Sequence, residues 1–172
     1  LAFLLGRGGF REARPGVFAA EGVTIAETAV FHAKAGPVVL DREAVVGDFA
    51  YFEGPVYVGP QARLIERASL KGCVCVGAVC KIGGEIEASV IEPYTNKQHH
   101  GFLGHAWVGS WVNLGAGTSN SDLKNTYGEV RIELPHRRVD TGMQFLGCII
   151  GDYAKSAINT SIFTGKVIGV AS

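Results

Sequence analysis

Large apolar residues recur at every sixth position along the first half of the chain: Leu40, Val46, Phe52, Val58, Leu64, Leu70, Val76 and Ile82. A smaller set stands two residues before each of them, at Val38, Ala44, Ala50, Val56, Ala62, Ala68, Val74 and Cys80. Glycine often follows the large residue, as at Gly47, Gly59, Gly77 and Gly83. An amphipathic helix needs apolar spacings of three and four, which this pattern lacks. Two inward side chains separated by one residue, then a turn, describe a very short strand. A strand that short cannot bury its face alone, and stacking neighbours into a solenoid solves the problem. If three hexads close one coil, residues eighteen apart lie above one another. Leu40 then sits under Val58 and Val76, Val46 under Leu64 and Ile82, and Phe52 under Leu70. Coils stack about 4.8 Å apart, and each buried aliphatic side chain contributes roughly 1.5–3 kcal/mol. The pattern predicts an all-β fold, a parallel β-helix of triangular section. It does not fix the hand, since ordinary parallel crossovers are right-handed.

The register slips by two residues near Gly83–Gly84 and is expected to resume at Val90, continuing through Phe102, Val108 and Leu114. Paired glycines there predict a bulge or a wider turn. The hexads stop after Asn120. Residues 121–147 read as an inserted loop with strands at 130–134 and 139–145, and an insertion of that length in a solenoid usually carries function or contacts. The repeat returns in phase at Ile150, Ser156, Ile162 and Ile168, and the sequence stops at Ser172 in mid-repeat, so the last coil is expected to be incomplete. Residues 1–22, punctuated by Gly6, Gly8, Gly9, Pro15 and Gly16, read as a linker or lead-in segment, and 23–172 as the β-helix domain. The first residue is not Met, which predicts a piece of a longer protein.

Composition narrows the functional classes. The 172 residues suffice for one domain with its own core. Lys plus Arg number 16 and Asp plus Glu 16, a balance that argues against a nucleic-acid or anionic-membrane surface. No apolar run is long enough to span a bilayer, and the apolar start Leu1–Leu5 is too short for a signal peptide and lacks a preceding basic residue. Cys73, Cys75 and Cys80 lack a second matching pair, so the cysteines read as thiols of a reducing, cytoplasmic compartment rather than as a zinc site.

The groups capable of chemistry concentrate in 94–125. His99, His100 and His105 lie close together, and Asn113, Asn120, Asp122, Lys124 and Asn125 follow. Val112-Asn-Leu-Gly-Ala-Gly-Thr118 sets small residues among them, which lets a ligand approach the backbone.

The hexads resemble those of the hexapeptide-repeat acyltransferases. More specifically, Phe102-Leu-Gly-His-Ala-Trp-Val-Gly-Ser-Trp-Val-Asn-Leu-Gly-Ala-Gly-Thr118 is similar to the acetyltransferase half of the bifunctional glucosamine-1-phosphate acetyltransferase / N-acetylglucosamine-1-phosphate uridylyltransferases. Asn-Lys-Gln-His at 96–99 and Asn-Ser-Asp-Leu-Lys-Asn at 120–125 resemble a divergent branch of these sugar-nucleotidyltransferase-like proteins. The resemblance covers roughly 23–172. It implies a left-handed β-helix, a homotrimer with sites between subunits, acetyl-CoA as acyl donor with no metal, an amino-sugar phosphate acceptor, and a nucleotidyltransferase domain upstream. It further implies that His99 is the general base, that Asn113 and Ala116 line the sugar site, and that Lys124, with Asn125 beside it, meets the acceptor's phosphate. Two features depart from the family: Phe102 stands where a sugar-contacting tyrosine is expected, and an acceptor-binding lysine has no counterpart near Glu87.

The reaction so implied moves an acetyl group from a thioester to an amine, which must first lose a proton; an imidazole suits that step. Backbone N–H groups near Gly115–Gly117 are expected to meet the oxyanion. His100 falls on a small inward position and reads as a packed or turn histidine. Trp107, Trp111 and Phe145 fall outside the inward set and read as ligand or subunit contacts. Arg131, Arg137 and Arg138 read as a solvated or intersubunit face, and Asn120, Asp122 and Asn125 as possible turn closers. Two other functions are weighed: a zinc site of the β-helical carbonic anhydrase kind using His100 and His105, and a non-catalytic oligomerising or regulatory β-helix.

Overall fold

The computed structural model describes residues 1–6 and 8–172. Its stacked parallel sheets form a left-handed parallel β-helix of about 8 turns. The predicted columns are present. Leu40 pairs with Val58 and Val58 with Val76. Val46 pairs with Leu64 and Leu64 with Ile82, and Phe52 with Leu70. All of these side chains are buried in one continuous core. Alternation within each strand does this: in Val56–Val58 the outer two residues point inward and Tyr57 points out.

The corners explain why six residues suffice for a side of the triangle. Glu43, Phe49, Gln61, Arg67, Cys73 and Val79 all adopt positive φ. A non-glycine residue in that region costs of order 1 kcal/mol and persists only where the surroundings over-determine it. Here the ladders of the coils above and below do so. The amide of Arg67, for example, donates to the carbonyl of Asp48 one coil away.

The slip near Gly83–Gly84 is larger and more spread out than a single two-residue step. Leu70 pairs with Ile86, Val76 with Ile91, and Ile91 with Val108. The inward residues after Ile82 are therefore Ile86, Ile91, Lys97, Leu103 and Val108. Val90 and Phe102, expected inward, are only half-buried, and the expected phase returns at Val108 and Leu114. His100, expected at a small inward position, is exposed for the same reason. Gly83 and Gly84 form the shortened turn. A Cβ on Gly83 would meet the carbonyl of Gln98, and Gly84 has φ 70°. At two corners of these coils a buried hydroxyl accepts the amide that a carbonyl accepts elsewhere, as the Gly59 carbonyl does from Ala62 N. Ala106 N donates to Ser89 Oγ at 3.0 Å, and Val112 N to Thr95 Oγ1 at 3.1 Å. The core thus changes from aliphatic to polar as it enters the segment with the candidate chemistry.

The expected lead-in segment carries more structure than the pattern predicts. Within 1–22, Ala2–Gly6 is helical, and Arg11–Arg14 and Val17–Ala19 form an antiparallel hairpin whose second strand pairs in parallel with Val38–Leu40. The solenoid's first sheet therefore begins before residue 23. Arg14 covers the end of the coil: its guanidinium donates to Ala29 O at 2.7 Å and lies over the Phe31 ring, which stacks on Phe52. The insertion holds a hairpin, Arg131–Leu134 with Arg137–Asp140, its second strand earlier than the expected 139–145. Beyond it Ile149–Ile150 pairs with Trp107–Val108 as if the coil had not been interrupted. No helix among the described residues is long and apolar enough to cross a membrane.

Candidate functional site

The segment 94–125 winds through the polar coils, and register decides which of its side chains meet. Asn96 and Asn113 are bridged in parallel, and the amide of Leu114 donates to Asn96 O. One coil step therefore carries Asn96 onto Asn113, and the corner holding His99 onto the corner holding Ala116. Gly117 N donates to His100 O at 3.0 Å, which fixes this superposition. His99, Asn113 and Ala116 thus share one edge of the solenoid. His99 is exposed, with its Nε2 3.1 Å from the Gln98 side-chain amide. Asn113 is exposed too, and its side chain makes no hydrogen bond among the described residues. Of the three amides at 115–117, that of Gly115 donates to Ser156 Oγ and that of Gly117 to His100 O. They are spent on the fold, contrary to the expectation that the whole stretch offers donors. The Ala116 amide has no such partner among the described residues.

Lys124 and Asn125 lie elsewhere. They follow Asn120, at the base of the inserted loop, and line a cleft of ≈ 380 Å³ with Arg131, Arg138, Phe163 and Thr164. Neither His99, Asn113 nor Ala116 lines that cleft. Lys124 Nζ donates to the Glu129 carbonyl at 2.9 Å. Arg131 is paired with Asp140. One chain therefore does not unite all the residues singled out from the sequence.

Several polar residues do work that the sequence reading missed or left open. Asn120 is buried and reads the backbone of Gly104 with both ends of its amide, Oδ1 accepting from Gly104 N at 2.8 Å and Nδ2 donating to Gly104 O at 2.9 Å. Asp122 is not a turn closer. Its Oδ2 lies 2.8 Å from His105 Nδ1, and the His105 ring stacks on Phe145 at 5.4 Å. This pair ties the inserted loop to the corner of the coil below. His105 is thereby engaged and His100 stands on a different corner. No group of three or more His, Cys, Asp or Glu residues suited to a metal occurs among the described residues. Trp111 is half-exposed and stacks between Tyr94 and Tyr153 along a single corner.

Lys97 is the least expected member. It occupies an inward position and is only 2% exposed. Its Nζ donates to Gly83 O at 3.0 Å and to His99 O at 2.8 Å. Burial pushes its pKa from 10.5 down to about 8. The folded chain then binds fewer protons than the unfolded chain between those values, so this group makes stability rise with pH across that window. Below pH 8 both states are protonated and the penalty is complete; above 10.5 both are neutral. The shift corresponds to about 3 kcal/mol. Cys80 and Cys148, whose thiols burial pushes up to about 11 and about 12, act oppositely at high pH. The comparison is therefore made against Lys97→Met. Denaturant unfolding of the two proteins at pH 7 and pH 10.5 is expected to show the wild type gaining about 3 kcal/mol relative to the variant. Two pH profiles that run parallel contradict a lowered pKa for Lys97.

No protein-family model matches the chain. It is 30% identical over 146 residues to a bifunctional sugar-1-phosphate nucleotidylyltransferase/acetyltransferase of Sulfurisphaera tokodaii, covering 78% of this chain and 34% of the relative. It is 26% identical over 140 residues to the bifunctional protein GlmU of Synechococcus elongatus, covering 78% and 27%. A bifunctional protein GlmU of Methanocaldococcus jannaschii is 29% identical over 85 residues, covering 49% and 21%. The chain spans about a third or less of the length of these curated relatives.

Proposed function

We propose, from the premise that this chain is a hexapeptide-repeat β-helix related to the GlmU-type bifunctional sugar-1-phosphate nucleotidyltransferase/acetyltransferases, that it transfers an acetyl group from acetyl-CoA to the amine of an amino-sugar 1-phosphate. The observation that carries the reading is the coil-to-coil stacking of the His99 corner on the Ala116 corner, with the Asn113 amide on the same edge. An exposed imidazole, an uncommitted amide side chain and an uncommitted backbone N–H then lie along one edge of the solenoid. Small residues at 115–117 keep that edge free of bulky side chains.

His99 takes a proton from the acceptor's ammonium group, freeing the nitrogen lone pair to attack the thioester carbonyl. The Ala116 N–H donates to the oxyanion that develops, a role that favours a donor fixed before reaction. Collapse of the tetrahedral intermediate expels the thiolate of coenzyme A, which leaves with a proton as the thiol. Asn113 binds sugar hydroxyls. Lys124 and Asn125 bind the phosphate of an acceptor held at a neighbouring copy's His99, which is why a homotrimer with shared sites belongs to the proposal. The exposed Trp107, Trp111 and Phe145 are the apolar surface such an assembly would cover. A cytoplasmic setting, where acetyl-CoA and reduced thiols coexist, fits the four free cysteines.

The test is thiol release. With acetyl-CoA and glucosamine 1-phosphate or galactosamine 1-phosphate, coenzyme A is expected to appear only when both substrates are present. Sedimentation at micromolar protein is expected to give the trimer. Thiol release independent of any amino sugar, or a monomer with full activity, contradicts the shared-site acetyltransferase.

A further inference from the structure

We infer that Lys97 is the positioning residue for His99, holding the main chain of the His99 corner from inside the solenoid. The inference rests on reading His99 as the base. Its own footing is geometric. Among the described residues, the bond from Lys97 Nζ to His99 O at 2.8 Å is the only hydrogen bond made by the His99 main chain. Comparable corners are held differently. The Asp48 carbonyl accepts the amide of Arg67 from the next coil, and the Ala116 carbonyl accepts the amide of Asn159. No backbone amide of the next coil reaches the carbonyl of His99.

The short turn at Gly83–Gly84 explains the replacement. Ile82 is followed only four residues later by the next inward residue, Ile86, so this coil turns its corner with fewer residues than the coils below. The carbonyls of Gly83 and His99 are brought to face the coil interior without amide partners. A lysine has the reach and the three donors to serve both. The corner is also tailored to it: a Cβ on Gly84 would come within 2.9 Å of Lys97 Nζ. Burying an ammonium group is costly unless it is well hydrogen-bonded. Its two protein acceptors are both neutral carbonyls, and one of them belongs to the candidate base.

A lysine that merely closes the core predicts a loss of stability and nothing more. A positioning lysine predicts a change at His99. Lys97→Met keeps the length and removes the donors. Thr95→Val is the control. Thr95 is buried on the same coil and bonds Gly109 O and Val112 N, away from His99. In Lys97→Met the His99 ring-proton resonance is expected to shift and broaden while those of His105 and His136 stay in place. For acetyl transfer, kcat is expected to fall about 10–100-fold with the KM values for acetyl-CoA and the sugar phosphate nearly unchanged. Thr95→Val is expected to lower stability without either effect. The NMR arm needs no activity, so it decides the positioning role even if the protein acetylates no amino sugar. A His99 resonance and a kcat that both match wild type overturn the inference, as does an equal effect from Thr95→Val. If Lys97→Met does not fold, the wild-type lysine ammonium signal takes its place. A slowly exchanging Lys97 Nζ–H with contacts to the 99–101 backbone supports the clamp, and a fast-exchanging one overturns it.

Discussion

Replacing His99 by alanine is expected to lower acetyl transfer by about 10²–10⁴-fold, the usual cost of losing a general base, with the folded assembly intact. The two halves of that expectation have separate grounds. The activity loss follows because the amine acceptor arrives protonated and His99 is the imidazole stacked on the Ala116 corner, whereas His100 beside it lies against Gly117. The unchanged stability follows because the His99 ring is exposed and, among the described residues, its single bond is to Gln98 next to it. His105→Ala should behave in the opposite way. It leaves Asp122, partly buried, without its partner and removes a ring stacked on Phe145, so it should loosen the inserted loop and cost much less activity. Steady-state kinetics and thermal unfolding of both variants read all of this. A His99→Ala protein with full activity removes the base assignment. Metal release accompanying inactivation of both His100→Ala and His105→Ala would put a metal mechanism in its place.

Phe52→Ala carries the largest expected effect on stability. Its side chain is 0% exposed, stacks on Phe31 with ring centroids 4.7 Å apart, and sits directly beneath Leu70. The solenoid cannot collapse around the gap, since the ladders above and below fix the spacing of the coils. A loss of about 3–5 kcal/mol is expected. Because each coil contacts only its neighbours, the first coils should unfold at lower denaturant and carry the rest with them. Trp111→Ala, at a half-exposed corner, serves as the comparison and should cost far less in an isolated chain. A Phe52→Ala chain within 1 kcal/mol of wild type in equilibrium denaturation contradicts a packed interior.

Much of this architecture was legible because one physical rule, two inward side chains per hexad, governs residues 38–82 and 148–168. The rule failed where its apolar assumption failed. From Ile91, six-residue steps lead to Lys97 and Leu103, but a lysine at an inward position breaks an apolar search, so Val90 and Phe102 looked like the continuation. Where backbone amides bond buried side chains, Ser89, Thr95 and Asn120 become core residues, and their polarity is the signal rather than an interruption of it. The hairpin at 11–19 was hidden by its glycines and proline, which mark turns without saying what they join. Within the candidate site, the common edge of His99, Asn113 and Ala116 follows from seventeen-residue spacing between coils, which is readable only after the slip is known. Lys124 and Asn125 were associated with that edge by motif alone, and the chain's own fold sets them on another.

The measurement that addresses the central claim most directly is identification of the product. Acetyl-CoA labelled in the acetyl group is incubated with the protein and glucosamine 1-phosphate or galactosamine 1-phosphate, and the sugar phosphate is analysed by NMR. The account predicts the label on the amino nitrogen, as an amide stable to hydroxylamine, with the phosphate retained and with formation lost in His99→Ala. Label on a hydroxyl group, or a folded trimer that leaves every amino-sugar 1-phosphate unlabelled, contradicts it.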